Sequence, residues 1–271
     1  MNKFYLAFLF SALSVSSYAR TAEEILKKNI SDEQKGREIY IELDERDLGF
    51  GDMEVNVSMV LRNAQGQEIV KKQKNKVLEI EDSSVGDKSL IVFNEPRDVK
   101  GTAFLTFSKI LEADDQWLYL PALKRVKRIA SRNKSGPFVG SEFAYEDMSS
   151  QEVDKYTYKY IKNEKCGNME CFVVERFPAY QYSGYTKQVT WVDTKEFRPI
   201  KIDFYDRKSE LLKTMEFLDY KQYLGRYWRA DKFTMVNHQN GKSTEILWSN
   251  YKFRVGLKDN YFTKGNLKRV K

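Results

Sequence analysis

The feature that most constrains the fold of this chain is an alternation of apolar and polar residues with a period of two. After Asp52, apolar side chains stand at every second position, at Met53, Val55, Val57, Met59 and Leu61. This alternation is typical of a half-buried β-strand. Tyr and Phe, which favour strands, number 17 each in the chain. Further candidate strands, most of them separated by turn residues, cover 68–81, 88–94, 101–111, 116–120, 125–130, 156–162, 171–176, 187–193, 199–206, 212–220, 228–237 and 242–252.

Helical patterns are scarce in the sequence. Thr21 with Glu24 three positions later has the spacing of a capping box and predicts a short helix. After residue 30, no segment shows an amphipathic pattern long enough for a crossover helix, so a parallel sheet is not expected. About a dozen strands in one sheet must curl or stack. The sequence therefore predicts a mainly β fold with a large, curved antiparallel sheet and a few short helices.

The N-terminus has the pattern of a secretory signal peptide. Lys3 precedes an apolar run over residues 4–15, and Ser17-Tyr18-Ala19 supplies small residues where a signal peptidase cuts. The apolar run is too short for a membrane span, which needs roughly 20 residues. We expect residues 1–19 to be a signal peptide cleaved after Ala19, and residues 20–271, which contain no evident linker, to form a single periplasmic domain.

The two cysteines predict a disulfide in that oxidising compartment. Cys166 and Cys171 are separated by four residues and lie between two candidate strands. A bond between them would join the arms of a β-hairpin. The alternative is a redox pair, although catalytic pairs usually have two intervening residues at a helix N-terminus.

The charge of the chain suggests an anionic partner. The formal net charge is +7, with the basic residues spread along the sequence. Because export argues against nucleic acid, we expect anionic lipid head groups, in transient contact with a membrane, or an acidic patch on another protein, with a basic surface that is simply solvated as the alternative. The basic segment 124–128 is one candidate for such docking.

The sequence offers no recognisable catalytic or metal site. His238 is the only histidine and lies in a predicted turn, so neither a Ser-His-Asp triad nor a zinc site can be assembled in the usual way. No glycine-rich phosphate loop or other cofactor motif is present. The acidic pairs Asp114-Asp115 and Glu146-Asp147 leave open a hydrolase that uses two carboxylates.

The segment from 131 to 151 does not fit the strand pattern. It contains glycines, a proline and several serines, together with the apolar residues Phe138, Phe143 and Tyr145. Apolar side chains in a long loop are stabilised by packing against another surface. This segment is predicted to be a lid over the sheet, with a loop simply packed on a sheet edge as the alternative.

The central motifs resemble the LolA-like family of periplasmic lipoprotein-sorting proteins. The resemblance rests on four runs of sequence, at 101–105, 115–123, 125–129 and 140–148. It implies a half-open barrel of antiparallel strands whose apolar cavity shields acyl chains in transit. It also implies an association with a transporter of the resistance-nodulation-division (RND) superfamily in the inner membrane, or with an outer-membrane acceptor. The arginine that couples the lid to the sheet in LolA has no aligned counterpart here.

Three hypotheses follow from these observations. The first is a carrier that holds a lipid or lipoprotein acyl chain and needs no cofactor; the second is a transporter accessory module that carries nothing; the third is a hydrolase. Aromatic and aliphatic side chains in the strands are the candidates for a cavity lining, with packing in the core as the alternative for each: Phe104, Phe107, Trp117, Tyr119, Trp191, Ile202 and Phe204.

Overall fold

The computed structural model describes residues 20–80, 82, 84–150 and 152–269. The predicted signal peptide and its cleavage site lie outside this part of the chain. Two helices come first, α1 (Ala22–Lys27) and α2 (Asp32–Asp47). Within the described residues, no helix is both long enough and apolar enough to cross a membrane.

Thirteen strands form one antiparallel sheet, in the spatial order β6-β5-β4-β3-β2-β1-β13-β12-β11-β10-β9-β8-β7. Strands that are consecutive along the chain pair with each other, except β6 and β7, and β1 also pairs with β13. The two outer strands, β6 and β7, do not pair, so the sheet is half-open, which confirms the predicted fold class. The strands are β1 (Asp52–Arg62), β2 (Glu68–Leu78), β3 (Lys88–Glu95), β4 (Ala103–Phe107), β5 (Asp115–Leu120), β6 (Arg125–Arg128), β7 (Tyr156–Cys166), β8 (Met169–Pro178), β9 (Lys187–Asp193), β10 (Pro199–Tyr205), β11 (Leu211–Tyr223), β12 (Tyr227–Asn237) and β13 (Ser243–Phe253).

The pairing register assigns each strand residue to one of two faces, because successive side chains point in opposite directions. One face carries Phe104, Val57 and Ile202 and packs against α2 and the segment 131–150. We call it the inner face, and we call residues 131–150 the inner segment. The opposite, outer face carries Leu105 and Trp117.

Helix α2 corrects the expectation that no long helix follows residue 30. Its 16 residues are mostly charged, and the apolar side chains that it buries, Ile39 and Tyr40, are too few to give a clear amphipathic pattern. Ser31 and Gln34 form a capping box at its start, and this spacing is the signal for the helix in the sequence. Together with Ile25 of α1, these side chains pack on β7–β9 and cover that end of the inner face.

The chain after β13 covers part of the outer face. Phe262 and Leu267 are buried there against Leu90, Leu105 and Trp117. Short 3₁₀ turns at Asp259–Tyr261 and Asn266–Lys268 hold this C-terminal segment in place. The sheet is thus covered on both faces, by different parts of the chain at different strands.

The predicted disulfide is present. Cys166 ends β7 and Cys171 lies near the start of β8, and the two sulfur atoms are bonded. The bond closes the hairpin at one edge of the sheet, beside a turn with Gly167 at a positive φ of 62°.

Candidate functional site

Three of the seven predicted lining residues lie on the inner face. Phe104 is in β4, and Ile202 and Phe204 are in β10. All three are buried in one apolar cluster that also includes side chains from the inner segment. The structure therefore brings together residues from distant strands, as the prediction requires, but it covers them with the protein's own side chains.

The other four predicted lining residues lie on the outer face. Trp117 and Phe107 contact each other edge to face, with their ring centroids 5.1 Å apart, and Tyr119 packs in the same cluster. Trp191 lies in β9, where its indole N–H donates to Glu164 and the Lys201 ammonium lies over its ring. The seven residues are therefore divided between two faces and do not share one lining, because side chains an odd number of positions apart in a strand point in opposite directions.

The inner segment lays its aromatic side chains on the inner face. Phe138 and Phe143 are buried and Tyr145 is half-buried. The Phe138 ring centroid lies 5.0 Å from that of Phe104 and 5.5 Å from that of Tyr145. All three predicted lid residues are thus in contact with the sheet or with one another.

Two buried lysines fix the inner segment to the sheet. The Lys213 ammonium, in β11, donates to the Asp147 carboxylate and to the Glu142 carbonyl, each at 2.8 Å. The Lys71 ammonium, in β2, donates to the Val139 carbonyl at 2.5 Å, and burial lowers the pKa of this lysine. A buried ammonium must have hydrogen-bond acceptors. The segment provides them, so sheet and segment depend on each other.

The acidic pair Glu146-Asp147 has structural contacts. Glu146 accepts hydrogen bonds from the Tyr180 hydroxyl at 2.9 Å and from the Gly184 N–H at 2.8 Å, and burial raises its pKa. The cavity beside Glu146 has a volume of only 20 Å³, which is about enough for one water molecule. In the described residues, no group of three or more His, Cys, Asp or Glu side chains could hold a metal ion.

A row of partly exposed aromatic side chains crosses β11, β12 and β13 on the inner face. It consists of Phe217, Phe233, Trp248 and Tyr251, and we call it the aromatic row. The ring centroids of Phe217 and Phe233 are 4.9 Å apart, those of Phe233 and Trp248 5.3 Å, and those of Trp248 and Tyr251 6.4 Å. Sequence reasoning missed these residues, although each lies in or near a predicted strand.

The aromatic row lies between the two elements that cover the inner face. At one end of these strands, the Glu142 N–H of the inner segment donates to Thr244 at 3.0 Å. At the other end, the Tyr227 hydroxyl donates to the Leu48 carbonyl at the end of α2, at 3.4 Å. The row is thus the part of these strands that neither element fully covers.

Four buried polar atoms on the inner face have no hydrogen-bond partner among the described residues. They are Gln73 Oε1, Thr106 Oγ1, Gln116 Oε1 and Trp248 Nε1. The register places all four side chains on the same face as Val57 and Phe104. Because buried polar groups are normally paired, these atoms mark the interior of the inner face as a place where further hydrogen bonds can form.

The chain is similar to a family and to several solved structures. A protein family described as "Uncharacterized protein" matches residues 86–269. An outer membrane lipoprotein-sorting protein domain from Vibrio parahaemolyticus is 54% identical, with a TM-score of 0.85, over 88% of this chain and 100% of that one. A DUF1329 family protein from Desulfovibrio piger is 29% identical, with a TM-score of 0.83 and the same shares covered.

A LolA superfamily protein from Nitrosomonas europaea has the same fold. It is 23% identical, with a TM-score of 0.68, over 85% of this chain and 98% of that one. No curated protein matches the sequence.

Proposed function

Because the chain belongs to the outer membrane lipoprotein-sorting protein family, we propose that it is a periplasmic carrier without enzymatic activity that shields a lipid or lipoprotein acyl chain on its inner face. The aromatic row carries this proposal. It offers a strip of adjacent rings that water still reaches, in a fold shared with a LolA superfamily protein. A hydrocarbon chain lying on Phe217, Phe233 and Trp248 would remove from water both its own apolar surface and that of the rings.

Apolar contact supplies the affinity in this proposal. Burying an acyl chain stabilises a complex by roughly 0.8 kcal/mol per methylene group. Even partial coverage of a long chain by the aromatic row is therefore favourable. The indole N–H of Trp248 is buried and has no partner among the described residues, so it becomes available to the carbonyl of an acyl ester or amide once the side chains that cover it are displaced.

Loading and release require the inner segment to move in this proposal. Phe138 and Phe143 of that segment cover the inner side of Phe104 and its neighbours. Displacing the segment would extend the accessible apolar surface from the aromatic row toward β4. The hydrogen bonds of Lys213 and Lys71 hold the inner segment in its closed position.

The partners in this proposal are membrane proteins of the envelope. An inner-membrane transporter of the RND superfamily, or an outer-membrane acceptor, would deliver or receive the acyl chain. Cross-linking in intact cells should recover such a protein with this chain, and recovery of periplasmic proteins alone would contradict the partnership.

One observation favours the second candidate, an accessory module that carries nothing. Phe138 is fully buried and Phe143 is 3% exposed, so part of the inner face is already filled by the chain itself. If the inner segment never moves, only the aromatic row is available to a ligand. Binding measurements separate the two candidates.

The test compares neighbouring residues that point to opposite faces of one strand. Phe217→Glu places a charge in the aromatic row, whereas Leu218→Glu places it on the outer face of β11, where Leu218 is 37% exposed. A fluorescent fatty acid titrated into each protein reports its affinity. We expect Phe217→Glu to weaken binding by at least roughly tenfold, since a charge in apolar contact is costly, and Leu218→Glu to leave it unchanged.

A second pair of variants tests the proposal in case Phe217→Glu does not fold. Trp248→Gln keeps the position uncharged, and Leu247→Gln is its outer-face control in β13. Far-UV circular dichroism shows whether each variant is folded. Equal affinities for the inner-face and outer-face variants, or no binding of fatty acid by the unmodified protein, would contradict the carrier proposal.

A further inference from the structure

We propose that a basic groove on the outer face docks the protein on a bilayer surface that contains anionic phospholipid. The groove lies between the edge strand β6 and the C-terminal turn Asn266–Lys268. It is open to solvent and has a volume of about 630 Å³. Trp117 and Val126 supply its apolar lining. Its cationic lining consists of Arg128, Lys264, Lys268 and Arg269.

The cations of the groove are largely uncompensated. Arg128 pairs with Asp115 at 2.5 Å, and the Lys264 ammonium lies 4.7 Å from the centre of the Trp117 ring. Within the described part of the chain, Lys268 and Arg269 form no ion pair. Several like charges around one groove favour an anionic ligand.

The chemistry of the groove fits a phospholipid better than an acidic peptide strand. The groove has apolar side chains at its base and cations around them. A phospholipid has an apolar part joined to an anionic phosphodiester, so each part of the lipid meets side chains of matching chemistry. A peptide strand would have to pair with the free edge of β6. That edge is only four residues long and carries three basic residues, Arg125, Lys127 and Arg128, which are features that resist strand addition.

The groove is independent of the proposed carrier site. Trp117 lies on the outer face, whereas the aromatic row lies on the inner face. Docking through the groove therefore leaves the aromatic row uncovered by the membrane surface. The docking surface can exist whether or not the inner face binds a lipid.

The test measures vesicle binding by the full chain without its predicted signal peptide. The groove variant is Lys264→Gln with Lys268→Gln and Arg269→Gln. Its control is Lys165→Gln with Lys208→Gln and Lys242→Gln, which removes the same number of positive charges. These three lysines are exposed, lie in turns or at strand ends, and form no ion pair with the described residues. Sedimentation is carried out with vesicles of phosphatidylethanolamine and phosphatidylglycerol, and with vesicles of phosphatidylcholine alone.

The expected result is specific to both the lipid and the groove. The unmodified protein should bind the anionic vesicles, and added salt should weaken binding. Each basic side chain near an anionic surface contributes about a fivefold increase in affinity, so the groove variant should bind on the order of 100-fold more weakly. The control should bind like the unmodified protein.

Three outcomes would overturn the proposal. One is equal binding to the anionic and zwitterionic vesicles, and another is an equal loss of binding in the groove variant and the control. The third is binding of a glutamate-rich peptide, abolished in the groove variant, by a protein that does not bind vesicles. Circular dichroism of both variants excludes unfolding as the cause of a loss.

Discussion

At the scale of single residues, Lys213 couples the inner segment to the sheet. Its side chain is 4% exposed, and it lies 2.8 Å from the 9% exposed Asp147 carboxylate. Replacing it by Met would leave Asp147 buried without its cation. Breaking a buried pair in this way costs about 3 kcal/mol or more. We therefore expect Lys213→Met to lower the free energy of unfolding by that amount, as measured by urea denaturation.

A surface ion pair provides the control for Lys213. Lys72 lies 3.0 Å from Glu95, and both side chains are mostly exposed. Lys72→Met should change the free energy of unfolding by less than about 1 kcal/mol, because water screens an exposed pair. An equally small effect of Lys213→Met would show that the lysine does not hold the inner segment.

Which residues belong to the candidate site could be predicted only in part. Alternation within a single strand explains why Phe104 faces away from its neighbours in β4 and why Ile202 and Phe204 share a face in β10. It could not relate the faces of one strand to those of another, because that depends on the pairing register and on bulges such as the one in β13 opposite Val55. Trp117 and Trp191 were therefore grouped with residues of the opposite face, and Trp248 was overlooked.

At the scale of elements, three partly buried carboxylates, in α2, in the loop before β3 and in the chain after the inner segment, lie close enough to repel one another. Burial raises the pKa of Asp44 and Asp87 to about 6 and that of Glu152 to about 7. Asp87 and Asp44 further raise the pKa of Glu152, whereas Lys155 lowers it. A pKa that is higher in the folded state means that ionisation opposes folding. The stability from these groups is greatest below their unfolded pKa values, near pH 4, and is lost as the pH rises to about 7.

Because ionisation of Glu152 opposes folding, the effect of Glu152→Gln on stability should depend on pH. At pH 8 the variant should be more stable than the unmodified protein, because it lacks a carboxylate that must ionise in a partly buried place beside two other carboxylates. Near pH 4 the difference should largely vanish, since the carboxyl group is then protonated in the folded protein. Thermal unfolding at both pH values measures the change.

An exposed carboxylate in β11, Glu216, gives the comparison. Glu216→Gln should alter the melting temperature little and by a similar amount at pH 4 and pH 8. A Glu152→Gln protein that is less stable than the unmodified protein at pH 8 would contradict the assignment of Glu152 as a destabilising charge.

The strands were more predictable than the helices. Period-two alternation, strand-favouring residues and turn residues located all thirteen strands, including β4, which is buried on both faces. Helix α2 escaped detection because much of its length is polar and its stability comes from packing on β7–β9 through Ile39 and Tyr40. Its capping box at Ser31 and Gln34 was the available signal.

At the scale of the whole molecule, the open sheet explains why the inner face needs other parts of the chain. A closed barrel of about eight strands fills its interior with strand side chains alone, whereas here thirteen strands leave β6 and β7 as separate edges. Helix α2 covers one end of the inner face and the inner segment covers another, and the aromatic row lies between them. The fold class was predictable from strand number, but this division of the inner face was not, since it depends on contacts between residues far apart in the sequence.

The most direct test of the carrier account is to locate a bound acyl chain. A phospholipid with a photoactivatable group in its acyl chain is mixed with the protein and irradiated, and the modified residues are identified by peptide mass spectrometry. The account predicts modification of the aromatic row, at Phe217, Phe233, Trp248 or Tyr251. Modification confined to outer-face residues such as Leu218 and Leu247, or no modification above that of a heat-unfolded sample, would contradict it.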